Sequence, residues 1–198
     1  MSSGEMKAIA REFKLHVAII GGLVALAWAI EIVDLFLGGW LNQFGIFPRT
    51  IIGLRGILFA PLLHGNIPHL IGNTIPFIIL GWLVMLRRTS DFFIVTAIVA
   101  LLGGLGTWLF GAPALHIGAS GVIFGYFGFL LARGYFERSF VAIGFSVLVA
   151  ILYGGMIFGV LPGQYGISWE GHLFGFLGGI FTARLLGKRP AAADKYLL

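Results

Sequence analysis

Ser120, His172 and Asn73 are the residues of this chain whose types could do covalent chemistry together. Ser120 sits between glycines in Gly118-Ala119-Ser120-Gly121. His172 follows Gly171 and precedes Gly175 and Gly179, and Asn73 lies four residues after His69. A serine hydroxyl is a poor nucleophile until a base accepts its proton, and neutral imidazole suits that task near pH 7. An amide side chain, and a main-chain N–H at the start of a helix, can then hold the oxyanion of a tetrahedral intermediate. The three types supply a nucleophile, a base and an oxyanion donor.

The medium decides whether they can meet. Of 198 residues, 59% are hydrophobic and 11% charged, against about 25% charged in a soluble domain; the mean hydropathy is +0.99. A soluble enzyme, a disordered chain and a nucleic-acid binder are excluded, despite thirteen basic residues against eight acidic ones. With no cysteine there is neither a disulfide nor a thiolate metal site. The lipid bilayer is the expected surrounding.

Six apolar runs predict an all-α membrane protein, a bundle of six transmembrane helices. They are Val17 to Trp40, His69 to Leu86, Phe92 to Phe110, Ser120 to Ala132, Phe140 to Val160, and Trp169 to Arg184. The segment from Asn42 to Pro68, broken by Pro48, Arg49, Arg55 and Pro61, is expected to be interfacial or partly inserted. The membrane domain is placed at 17–187, between an N-terminal segment 1–16 and a tail 188–198. The first run continues past Ala25-Leu26-Ala27, so it does not read as a cleaved signal peptide. With both termini cytoplasmic, eleven basic residues lie inside and only Arg49 and Arg55 outside. A multi-pass protein of a bacterial inner membrane is expected.

In this topology the even-numbered runs end at arginines that act as rulers. Ser120, Asn73 and His172 then lie about 20, 21 and 18 Å above the inner boundary, or roughly 10 Å below the outer surface of a 30 Å core. Polar groups at that depth must face one another or a wet cavity. A lone membrane serine commonly bonds its own backbone, and a lone asparagine can simply join two helices. The setting argues otherwise, because glycines recur at four-residue spacing after Gly171 and again from Gly121 to Gly125. Two backbones free of side chains could approach until Ser120 reaches His172.

These motifs resemble the rhomboid family of intramembrane serine proteases. Gly118-Ala119-Ser120-Gly121 is similar to its nucleophile motif, and Gly171-His172 with Gly175 and Gly179 to its sixth-helix motif. His64, His69 and Asn73 resemble its paired-histidine and asparagine motif. The resemblance implies Ser120 as nucleophile, His172 as general base, and Asn73, His69 and the Ser120 main chain as oxyanion donors. Phe124 would pack on the base, supported by Gly118, Gly121, Gly171 and Gly175. It implies transmembrane protein substrates, cut near the outer face, with no cofactor and no metal; a monomer suffices. The alternative is a catalytically silent relative that binds or sorts membrane helices.

Rival chemistries are weaker. No HExxH zinc motif occurs, and His64 and His69, five apart, do not share a helical face. Glu31 and Asp34 are expected as an interfacial acid pair. His116, four residues before Ser120, is a rival base, but it lies in a loop and is expected to lack a fixed platform. Gly103-Gly104-Leu105-Gly106 follows no strand and reads as packing. Inverted repeats of a transporter are absent from the pattern.

Overall fold

The structure is a computed structural model and describes residues 3–163 and 166–187. Every regular element among them is helical, and one isolated antiparallel bridge pairs Ile46 with His116. The α-helices are α1 (Ser3–Phe36), α2 (Gly56–Phe59), α3 (Ile67–Met85), α4 (Thr89–Phe110), α5 (Ser120–Glu137), α6 (Phe140–Tyr153) and α7 (Trp169–Leu186). A 3-10 segment, Gly154–Val160, continues α6. By length and composition, α1, α3, α4 and the stretch Phe140–Val160 can cross a membrane. Helices α5 and α7 have 18 residues each, about 27 Å, but carry polar groups and many glycines.

The first helix is longer than its apolar run. It runs unbroken through residues 16 and 17 and spans 34 residues, about 51 Å, well beyond a 30 Å core. His16 to Thr89 (2.9 Å) and the Trp28 indole N–H to Thr74 (3.2 Å) tie it to the bundle. Glu31 and Asp34, near the end of α1, are buried within the chain, each 3% exposed. Asp34 accepts the Leu41 N–H at 2.6 Å and so holds the chain as it leaves α1. The tail 188–198 lies outside the described residues.

The closest packing joins α5 to α7. A Cβ on Gly175 would collide with the Gly121 carbonyl oxygen, and one on Gly179 with that of Gly125. Gly121 faces the Gly171 carbonyl, where a Cβ would stand 3.3 Å away. The glycines thus bring backbone onto backbone. Gly125 differs from expectation, because its empty side faces Val99 of α4 instead of α7. Three helices therefore meet there.

Arg133 does not end its helix. It is buried at 6% exposure and bonds Glu137 one turn on (2.9 Å), so α5 continues four residues further. Arg87 reaches the same Glu137 carboxylate at 3.0 Å, Asp91 at 3.1 Å and the Leu186 carbonyl at 2.8 Å. Sequence depth measured from Arg133 therefore starts inside the protein. Two guanidinium groups sharing two carboxylates allow burial that an isolated charge would not.

The seam makes a test independent of any chemistry. Gly175→Val adds a branched side chain where backbone already touches backbone, and overpacking costs about 1–3 kcal/mol. Thermal unfolding in detergent should show a clearly lowered midpoint. Leu185→Val, at a residue 53% exposed on the outside of α7, should leave it nearly unchanged.

Candidate active site

Ser120 is the first residue of α5, so its N–H is one of the orphan donors of a helix start. Gly118, two residues before it, has φ +114°, a region L side chains rarely adopt. Its N–H donates to the Ala60 carbonyl at 2.9 Å. At the start of α7, the Ser168 side chain caps the helix by accepting from Gly171 N–H (3.3 Å). His172 follows in the first turn. The two helix starts face each other, and Ser120 Oγ lies 2.8 Å from His172 Nε2.

The other ring nitrogen shows which tautomer is present. His172 Nδ1 lies 2.9 Å from the Gly159 carbonyl oxygen. A carbonyl only accepts, so Nδ1 carries the proton and Nε2 is left to accept from the Ser120 hydroxyl. Phe124 stacks on the imidazole with ring centroids 4.0 Å apart and planes 7° from parallel. Gly159 is compact by necessity, since a Cβ there would stand 2.6 Å from Phe124 and 3.4 Å from His172 Nδ1.

Asn73 and His69 approach from α3. A Cβ on Gly118 would lie 2.7 Å from His69 Nε2 and 3.5 Å from Asn73 Nδ2, so the missing side chain leaves a hollow bounded by both. Asn73 is buried, and its Nδ2 has no hydrogen-bond partner among the described residues. Asn66 caps α3 by accepting from His69 N–H at 2.8 Å. At the long distance of 3.5 Å, Gly65 N–H points to His69 Nδ1, which leaves Nε2 as the protonated donor facing the hollow. A cleft of about 440 Å³ runs past Ser120, His172, Asn73, His69, Phe124 and Met156. Among the described residues no three His, Asp or Glu side chains cluster as metal ligands would.

The rhomboid domain matches residues 53–189. This chain belongs to the rhomboid family. It is 45% identical over 193 residues to the uncharacterized protein Rv1337 of Mycobacterium tuberculosis, covering 89% of this chain and 80% of that one. An uncharacterized Mycobacterium leprae protein, ML1171, is 43% identical over 183 residues, 85% of this chain and 72% of its own. The rhomboid protease GluP of Bacillus subtilis is 33% identical over 180 residues, 83% of this chain but 35% of its own length. The match to the rhomboid domain takes in all the site residues described above.

His116 is not the loose rival expected. It is 7% exposed, its Nδ1 lies 2.6 Å from Ser168 Oγ, and its Nε2 lies 3.0 Å from the Ala112 carbonyl. The loop holds it through side chain and backbone alike, pointing at Ser168 and not at Ser120. The loop between α6 and α7 contains Gln164 and Tyr165, which lie outside the described residues. Gly159 and Asn66 were missed as site residues. The first acts through a main-chain oxygen that no residue type announces; the second carried a legible capping signal, Asn before Ile67-Pro68.

His64 lies outside the spanning helices, 2% exposed and edge-on to His69 at 5.1 Å. Burial first, and the neighbouring His69 imidazole second, push its pKa down to about 4. The unfolded chain, with a histidine near 6.5, takes up this proton before the folded chain does. His64 therefore contributes fully above about 6.5, and its contribution falls as the pH drops toward 4. Thermal midpoints measured between pH 7 and pH 4 should fall more steeply for wild type than for His64→Leu. Parallel curves would refute this.

Proposed function

We propose that this rhomboid is an intramembrane serine endopeptidase that cuts transmembrane segments near the outer face of a bacterial membrane, with six spans and both termini cytoplasmic. The carrying observation is the 2.8 Å contact between Ser120 Oγ and His172 Nε2, with Nδ1 held on Gly159. A silent helix-binding relative would have no chemical use for a base in the accepting tautomer.

A substrate helix enters beside α6 and unwinds locally, because helical peptide bonds are shielded. Gly or Pro near the cut, and a small residue before it, favour that unwinding and fit. Ser120 Oγ attacks the carbonyl carbon as its proton passes to His172 Nε2. The Gly159 carbonyl keeps the ring oriented and accepts from the imidazolium Nδ1–H; Phe124 fixes the plane. The oxyanion is placed in the hollow beside Gly118, between Asn73 Nδ2, His69 Nε2 and the Ser120 N–H. His172 returns the proton to the leaving amine, and the acyl-enzyme forms. Water from the cleft then loses a proton to His172 as it attacks, and the hydroxyl of Ser120 is restored.

Among the described residues no carboxylate completes a triad. Glu170, in the first turn of α7, accepts the Ala112 N–H at 2.9 Å, so the partner of the base is a main-chain dipole.

Two measurements test this. A fluorophosphonate probe should label wild type and leave Ser120→Ala and His172→Ala unlabelled, while both variants stay folded in detergent and fail to cut a transmembrane test substrate. Wild-type turnover in Ser120→Ala would end the serine mechanism. Separately, Asn73→Ala should lower the rate by about 10²–10³, the usual effect of losing one oxyanion donor. An unchanged rate makes Asn73 a packing residue.

A further inference from the structure

The Ser120–His172 contact has a neighbour built the same way. His116 lies four residues before Ser120, and Ser168 lies four before His172. Each pair is separated by 52 residues in sequence. The hydrogen positions are determined by the partners. Ser168 Oγ accepts from Gly171 N–H (3.3 Å), so its own proton is free for His116 Nδ1 (2.6 Å). His116 Nε2–H then donates to the Ala112 carbonyl (3.0 Å). The Ala112 N–H donates to Glu170 (2.9 Å), so Ala112 is held through both its main-chain N–H and its carbonyl. His116 also exchanges both main-chain bonds with Ile46, each at 2.9 Å. One residue thereby joins the first outer loop, the lead-in to α5 and the cap of α7.

This junction adds a polar tie to the glycine seam. Faces without side chains let two helices approach but offer few knobs to hold axial register, Phe176 beside Gly128 and Phe127 being one. Within the loop from Gly111 to Ala119, the Gly118 N–H to the Ala60 carbonyl (2.9 Å) ties Ser120 to the segment before α3 and not to α7. Resting on the serine-protease reading, the geometry points to His116 as a positioning residue: its bond to Ser168 sets the register of α5 against α7, and with it the Ser120–His172 distance. It touches neither the hydroxyl of Ser120 nor the cleft beside His172.

The test uses the full chain in detergent, with two readouts. The first is the rate of fluorophosphonate labelling, with kcat and KM for a transmembrane test substrate. His116→Ala should lower the labelling rate and kcat about 10- to 100-fold, as expected for a shift of up to about 1 Å, with KM changed less than about twofold. Ser168→Ala should do the same, and the double variant should be no worse than either single one. Ser168→Thr, which keeps the hydroxyl, and His116→Gln, whose amide can accept and donate, should recover most of the rate. The second readout needs no activity. In ¹⁵N-histidine spectra, with five histidines to assign, the His172 Nε2 signal should move in His116→Ala toward its position in Ser120→Ala. Multiplying losses, a loss confined to KM, no recovery by either conservative variant, or an unmoved His172 signal would overturn the positioning role. If wild type neither labels nor cleaves, the protease reading fails, and the His172 signal still decides whether His116 sets the register.

Discussion

Ser120 and His172 meet in the first turns of two helices whose backbones nearly touch. The contact of α5 with α7 is this close because Gly121, Gly175 and Gly179 leave nothing larger than hydrogen between them, while the empty side of Gly171 faces Ser168 and, on α4, Thr107. Membrane helices gain little from hydrophobic burial against each other, since lipid is as apolar as leucine. Close packing and polar contacts must supply the cohesion. The seam therefore serves stability and site geometry at once. Gly103 and Gly106 extend the principle to α4, where their empty sides face Gly175 and Phe174.

Polar groups settle the two ends of the bundle. At one end Arg87, Arg133, Asp91 and Glu137 join the loop after α3, the start of α4 and the end of α5, and Arg87 closes on the last turn of α7. At the other end the loops gather around His116, Ser168 and Glu170. Between them lies an almost purely apolar middle built on Tyr126, Phe127, Phe129, Leu80 and Val99. Buried charge is costly unless paired, so each polar cluster stands where partners from several helices converge.

Much of this was legible because polar residues are so rare in the chain. Ser120, His172 and Asn73 interrupt apolar runs, and the structure brings them to one cleft. The glycine spacing announced a close contact, although not that Gly125 would turn toward Val99. Helix ends were read less well. An arginine in an apolar sequence signals a boundary only when it reaches water, and Arg133 instead pairs inside the protein with Glu137. His116 was read as loose because a loop position says nothing of long-range partners; Ser168 is 52 residues away. The acceptor at Gly159 had no signal at all, because every residue carries a carbonyl.

That last acceptor has a bearing on how such a site can be inherited. A carboxylate that orients a histidine can be erased by a single substitution, and its loss is visible in an alignment. A main-chain oxygen belongs to the shape of the chain, so it passes unchanged through most replacements around it. Its vulnerability lies elsewhere, in anything that alters the path of Gly154–Val160 or adds bulk at Gly159. The acceptor beside the Ser120–His172 pair is thus carried by conformation, and the segment that carries it can change in composition while the contact stays in place.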